Sequence, residues 1–421
     1  MQPPPHPTTT IFRHASQVLT LAGSPYPRAG QAMSELGILA DATIVVDDGR
    51  IAWIGAHAHL DPKPFRDTQE IDCRGKTLMP AFVDSHTHLV WGGDRKDELE
   101  MRLAGQDYEA ILAAGGGILS SVRQTRAATE QDLVAQCRTR IERMRRMGTT
   151  TFEIKSGYGL DLDTEMRQLH AIRRLSKEGF RVRATCLAAH AVPQEARASN
   201  AARSDFVDVV AHEILPAVAK ENLADYCDVF CDRGAFTFEE SCRVLEAAQQ
   251  LGFGIRVHAH EFGHTDGVKV ATRYHAASAD HLLYLNDGER ASLREAEVVA
   301  TLLPGTSLVL GKPFADGRAL VDSGVAVAVA TDCNPGSCGL ENLALVLALA
   351  CYGCRLSPAE AICATTHNAA ASLGYAGEVG RLEVGMSGDI LILDTADYRD
   401  LVYHAGSPLV QEVYASGARV R

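Results

Sequence analysis

Between residues 79 and 375, apolar runs of strand length alternate with amphipathic stretches of helix length, and this alternation restricts the fold more than any other feature. It is the pattern of a parallel α/β sheet, because a parallel strand needs a long crossover to return the chain to the same end. Strands are expected near 79–86, 150–155, 181–189, 227–231, 254–260, 277–281, 297–303 and 325–331. Helix signals lie between them. Thr129 opens one helix with a capping-box partner at Asp132. Asp163 to Lys177 is another, stopped by Gly179, and Phe238 to Leu251 a third, stopped by Gly252. Pro358 to Leu373 is a further helical run after the last strand. Eight strands with intervening helices fit a (β/α)8 TIM-like barrel of ordinary size, and a doubly wound open sheet satisfies the same alternation.

The two ends of the chain read differently. Ala42 to Val46, then Asp47-Asp48-Gly49, then Arg50 to Gly55 predicts a hairpin on an Asp-Gly turn. Strand signals return at Gly388 to Leu393 and Val410 to Gly417. The expected layout is one small β domain built from residues 1–78 and 376–421, with residues 79–375 inserted as the α/β unit.

The formal charge of −12 is spread along the chain, which argues against nucleic acid or an anionic membrane as partner. A small anionic substrate stays open, because one or two arginines in a pocket override the global sign. Met1 to Thr10 is rich in proline and threonine without an apolar core, so no signal peptide is expected, and no run has the length of a membrane-spanning helix. Eleven cysteines, an odd number without a secretion signal, predict reduced thiols and a cytoplasmic protein. Cys351-Tyr352-Gly353-Cys354 has no second pair at zinc-ribbon spacing and reads as helix-packing thiols. Gly305 to Lys312 is one residue too long for a phosphate loop and continues into Pro313 where Ser or Thr belongs.

In a (β/α)8 barrel the chemistry sits at the C-terminal ends of the strands. The first strand ends in His86-Thr87-His88. Residues i and i+2 of a strand face the same way, so both imidazoles can reach one metal ion. Imidazole nitrogen suits zinc, iron, nickel or copper better than magnesium or calcium. The second strand ends in Lys155-Ser156-Gly157-Tyr158 and the third in His190. The fifth carries His258-Ala259-His260-Glu261, the sixth Asp280-His281, and the eighth Thr331-Asp332-Cys333-Asn334-Pro335-Gly336-Ser337. Each alone is as consistent with a hydrogen-bonded core residue. Together they place a cluster of metal-binding side chains on one face.

With these motifs stand Trp91-Gly92-Gly93-Asp94-Arg95, Gly115-Gly116-Gly117-Ile118 and Thr125-Arg126-Ala127-Ala128-Thr129. Glu153-Ile154-Lys155-Ser156-Gly157-Tyr158-Gly159-Leu160, Ser278-Ala279-Asp280-His281-Leu282 and Leu302-Leu303-Pro304-Gly305-Thr306 complete the set. The chain so marked resembles the amidohydrolase superfamily over nearly its whole length. The resemblance implies a barrel paired with a small β-sandwich made by both termini. It implies that His86, His88, His258 and Asp332 hold one divalent zinc or iron ion. Relatives with two metals commonly use a lysine at the end of the fourth strand, where this chain has Phe230-Cys231-Asp232. Lys155, on the second strand, is left with a substrate or structural hydrogen bond. The superfamily usually has an acid where this chain has His260. Residues 258 and 260 share a strand face, so both can point inward. His258 is taken as the ligand because His-x-x-Glu then places Glu261 as in relatives with one metal.

Within the superfamily the motifs are most similar to the branch of histidine degradation that opens the cyclic amide of 4-imidazolone-5-propanoate to N-formimidoyl-L-glutamate. That implies proton-transfer or oxyanion roles for Glu261, His281 and Asp332. It implies substrate or product contacts at Arg95, Tyr158, His190, Glu261, Asn334, Gly336 and Ser337, with Arg95 as the partner of the propanoate. It also implies a homodimer. Two rival readings remain: a nucleobase-type deaminase of the same superfamily, which would not need Arg95 or the Lys-Ser-Gly-Tyr loop, and a metal-free barrel acting as a binding or scaffold protein, which would usually have lost ligands.

Overall fold

A computed structural model describes residues 9–61, 65, 68–106 and 115–421; most of the N-terminal proline-rich stretch, residues 1–8, falls outside them. The chain begins with β1 (Thr9–Leu19), β2 (Ile38–Asp47), β3 (Arg50–Ala56), β4 (Thr68–Asp72) and β5 (Thr77–Pro80). Eight strands follow: β6 (Phe82–Asp84), β7 (Thr149–Lys155), β8 (Arg181–Ala189), β9 (Tyr226–Cys231), β10 (Gly254–Ala259), β11 (Ser278–His281), β12 (Val299–Leu302) and β13 (Val327–Val329). The chain ends with β14 (Ile390–Leu393), β15 (Val410–Ala415) and β16 (Ala418–Arg419).

The terminal strands form one mixed sheet in the order β16-β15-β14-β5-β1-β2-β3, with β4 also on β1. The β2–β3 hairpin forms as expected. Asp48 (φ 45°) and Gly49 (φ 75°) both take the left-handed backbone that a two-residue turn of this type requires. The sheet folds over on itself, so Ile44 and Val46 of β2 share a core with Ile390 and Ile392 of β14 and Tyr414 of β15. Phe12 meets Tyr414 edge to face at 4.9 Å across that core.

The eight middle strands run parallel in chain order from β6 to β13. They close into a barrel through a short seam just beyond the strands. Asp332 N donates to His86 O and His88 N to Cys333 O, both at 3.0 Å, flanking a parallel bridge between Thr87 and Cys333. This seam decides for the barrel over the open sheet, and it includes three of the four residues expected to carry the metal, His86, His88 and Asp332.

Caps and stops fall where the sequence predicts. Thr129 and Asp132 form a reciprocal capping box on the helix Glu130–Arg146. Gly179 (φ 97°) and Gly252 (φ 84°) follow the helices Leu162–Lys177 and Phe238–Gln250. Three elements differ. The run 79–86 is two strands: Pro80 pairs with Ile390 in the terminal sheet, while Phe82 N donates to Gly148 O at the base of the barrel. An unbroken apolar run serves both cores, so periodicity carries no mark of the handover. The strand expected over 254–260 stops at Ala259, because His260 turns left-handed (φ 57°). The helical run 358–373 breaks at Thr366 (φ −129°, ψ −85°) into Pro358–Thr365 and His367–Ser372. No helix among the described residues is long and apolar enough to cross a membrane.

Candidate metal centre

His86 and His88 lie just past β6, His258 in β10, His281 at the end of β11 and Asp332 beyond β13, all buried. Nε2 of His86 and Nε2 of His88 each stand 3.4 Å from Asp332 Oδ1. Asp332 Oδ2 accepts from Thr306 Oγ1 at 2.5 Å, leaving Oδ1 for the histidines. The His86 and His258 rings are 4.6 Å apart, and His281 lies 5.4 Å from His258. Donor atoms of His86, His88 and Asp332 fall within 4.8 Å of one another, as do those of His86, His258 and His281. The two groups share His86 and together take in the four expected ligands and His281.

A metal ion fits these residues. Nε2 of His86 and Nε2 of His258 are buried with no hydrogen-bond partner among the described residues, a costly state for polar atoms unless something else binds them. Their opposite nitrogens are anchored, His86 Nδ1 at 2.7 Å from Asp280 and His258 Nδ1 at 3.1 Å from Asp228. A carboxylate behind a histidine is the usual support of a metal ligand. Burial, outweighing Asp228, lowers the His258 pKa to about 3, so its imidazole is neutral and free to coordinate. Burial and Lys155 also oppose charge on His86, yet Asp280 and Asp332 carry its pKa up to about 9, a pull that a cation at the centre would counter. Burial works against ionised Asp332 too, but its contacts with His86 and His88 hold its pKa well below the usual carboxylate range.

His260 does not face the centre. Its left-handed backbone swings the ring outward, where Nδ1 lies 3.1 Å from Tyr284 O and Nε2 2.8 Å from Thr265 O. The next residue, Glu261, faces inward, with Oε2 at 3.5 Å from His281 Nε2. Burial, only partly offset by His281, raises the pKa of Glu261. Lys312 Nζ stands 3.7 Å from Glu261 Oε1 and lies over the Phe262 ring. Its part here was not readable from sequence, because 51 residues separate the two.

His190 stacks on His88 at 5.0 Å and holds its Nδ1 on Gly157 O at 3.0 Å; Tyr158 packs 5.2 Å from His190. Burial, with His88 and His258 nearby, lowers the His190 pKa well below its ordinary value. Arg95 and Gly336 come together, since a Cβ on Gly336 would stand 1.8 Å from Arg95 Nη1. Nε and Nη2 of Arg95 donate to Glu98 at 2.8 and 2.5 Å, so Nη1 is the arm outside that pair. Asn334 is engaged within its own loop: Oδ1 accepts from Gly336 N and Ser337 N, and Nδ2 donates to Asp332 O and Ser337 Oγ. Lys155, Glu153, Asp228 and Arg256 lie deeper, inside the barrel. Of these, sequence reasoning singled out only Lys155. The available signal for the others was a charge in the middle of an apolar barrel strand, as in Cys227-Asp228-Val229 and Ile255-Arg256-Val257.

A parallel barrel with histidines and an aspartate at its C-terminal mouth, joined to a sheet from both termini, is an amidohydrolase architecture. Residues 77–420 match the model of the Amidohydrolase family, and the chain belongs to that family. Solved structures agree on the fold: a triazine hydrolase (TM-score 0.74, 19% identity, 98% of this chain and 94% of that one) and a zinc-bound adenosine deaminase from Xanthomonas campestris (TM-score 0.70, 19% identity, 99% and 93%). Curated relatives narrow the family further. The imidazolonepropionase of Deinococcus radiodurans is 44% identical over 98% of this chain and 99% of its own length, and that of Phocaeicola vulgatus 44% identical over 93% and 94%. Within the amidohydrolases, the chain is a member of the imidazolonepropionase family.

Proposed function

We propose that the protein hydrolyses the cyclic amide of 4-imidazolone-5-propanoate to N-formimidoyl-L-glutamate in histidine degradation. The observation that carries this reading is the clustering of His86, His88 and Asp332 at the barrel seam with His258 beside His86, family membership selecting the substrate. These four residues would hold one zinc or iron ion, which the donor set suits equally. When bound, such an ion supplies a water acidic enough to ionise near neutral pH and polarises the ring carbonyl.

The side chains divide the remaining work. The ring C–N bond breaks, the acyl carbon gains the oxygen of water, and the departing ring nitrogen gains a proton. Glu261 moves that proton; burial raises its pKa above the ordinary carboxylate value, which favours a carboxyl group that both takes and gives one. His281, within 3.5 Å of Glu261, holds the reacting oxygen by hydrogen bonding, and Asp332 assists in accepting the proton. His190 and Tyr158 line the ring's side of the centre. Arg95 receives the propanoate through Nη1 beside Gly336, and the 334–337 loop, kept in shape by Asn334, closes over the product. The reading includes a homodimer in the cytoplasm, which sedimentation and fractionation test.

An assay of ring opening, with metal analysis on the same sample, is the direct test. Consumption of the imidazolone with stoichiometric metal supports the reading. Ammonia release from a nucleobase would make the protein a deaminase, and purified protein without bound metal would make it a scaffold.

A further inference from the structure

Beneath the histidines the barrel interior holds five charged side chains, Lys155, Arg256, Glu153, Asp228 and Asp280, all with 0% exposure. Barrel interiors are ordinarily filled by branched apolar residues. Buried charges are costly even when paired, and well-packed apolar residues of similar volume often serve stability as well or better. Folding alone therefore gives little reason to keep such a cluster.

Its geometry supplies one. Lys155 Nζ lies 2.8 Å from Glu153 Oε1, 2.9 Å from Asp228 Oδ2 and 3.9 Å from Asp280 Oδ2. The two aspartates are those that face His258 Nδ1 at 3.1 Å and His86 Nδ1 at 2.7 Å. An imidazole offers Nε2 to a metal when its Nδ1–H is held by an acceptor, which fixes both tautomer and ring orientation. A carboxylate does this well only when it is itself held. Lys155, on β7, reaches across the barrel interior to Asp228 on β9 and Asp280 on β11, so one ammonium ties carboxylates of separate strands. Arg256 adds a second contact, 3.7 Å from Asp280. Among the five, two cations face three carboxylates, and Asp332 above them adds a fourth.

We propose that Lys155 is a positioning residue for the metal centre: it anchors Asp228 and Asp280, which hold the rings of His258 and His86 with Nε2 toward the shared ion. The proposal rests on the ligand set given above and assigns Lys155 no contact with substrate.

Zinc affinity of chelator-stripped protein, measured by competition with a chromophoric chelator, tests it without reference to turnover. Lys155→Met keeps chain length and removes the ammonium. It should weaken zinc binding about 10- to 100-fold, the usual cost of losing support behind a ligand. Because Lys155 acts in part through Asp228, the same substitution made in an Asp228→Asn background should cost clearly less than it does in the wild-type background. Wild-type affinity in Lys155→Met, or equal losses in both backgrounds, overturns the proposal. A lysine that merely supports the fold would lower the Tm of the stripped protein without this coupling. If Lys155→Met does not fold, Lys155→Gln replaces it, and failure of both overturns the proposal by making Lys155 a folding residue. Wild-type protein that binds no zinc, or His258→Ala that binds it as tightly, would overturn the ligand set instead.

Discussion

His258 and His260 are two residues apart at the end of β10, the first inside the strand and the second just past it, and they meet different surroundings. The first has a free Nε2 among other imidazoles, and the second has both nitrogens on backbone carbonyls. His258→Ala should therefore strip the metal and His260→Ala should not. Metal analysis of both purified variants checks this, and loss confined to the second would reverse the assignment. Glu261 is a separate matter, because it lies near His281 without belonging to either donor group. Glu261→Gln should keep stoichiometric metal and lose roughly 10²- to 10⁴-fold in kcat, the span ordinarily contributed by a positioned acid–base group. Near-normal kcat would remove it from the proton path. Both residues were recognisable as candidates by type and spacing. Which imidazole turns inward was not, because it depends on one backbone φ where the strand ends.

Elements carry the site as much as side chains do. The 332–338 loop begins at the barrel seam, is folded around Asn334, and presses Gly336 against Arg95. A methyl group at Gly336 has no room unless the guanidinium moves. Gly336→Ala should raise KM for the propanoate substrate severalfold or more while leaving bound metal unchanged. Equal KM would show that Arg95 does not receive the carboxylate. A helix far from the site serves as a control on what local sequence decides. Thr129→Ala removes the capping box of Glu130–Arg146 and should cost about 1 kcal/mol in urea unfolding, with no change in KM. That box was legible because both partners lie within one helical turn. The Arg95–Gly336 contact was not, because it joins two loops 241 residues apart in the sequence.

At the scale of the whole molecule, polar contacts tie the connection between β1 and β2 to the barrel's last strand and the helix His367–Ser372. Asn368 pairs with the backbone of Arg28 and with Val327 of β13, and His367 Nε2 lies 2.8 Å from Tyr26 O. Burial, opposed by the Tyr26 contact, lowers the His367 pKa to about 4. In the unfolded chain it returns to about 6.5. Above that value neither state holds the proton, so full stability is present there. As pH falls from about 6.5 to about 4, the unfolded chain takes up a proton that the folded one refuses, so stability drops by up to about 3 kcal/mol. His367→Gln keeps a donor for Tyr26 O and cannot titrate. Its Tm should fall less than wild type between pH 7 and pH 4.5, and an identical fall would place the acid sensitivity elsewhere.

Features encoded by period, cap or turn, such as the strand–helix alternation, the Asp-Gly hairpin and the facing pair His86 and His88, were determined by the sequence alone. Their physics acts between residues a few positions apart. The handover at Pro80, the seam that closes the barrel, and the lattice that joins Lys155 to Asp228 and Asp280 were decided only by the tertiary structure. A buried charge or an unpaired strand edge accepts any complementary partner, and only the folded chain, bringing His86 to Asp280 across 194 residues, selects which one it meets.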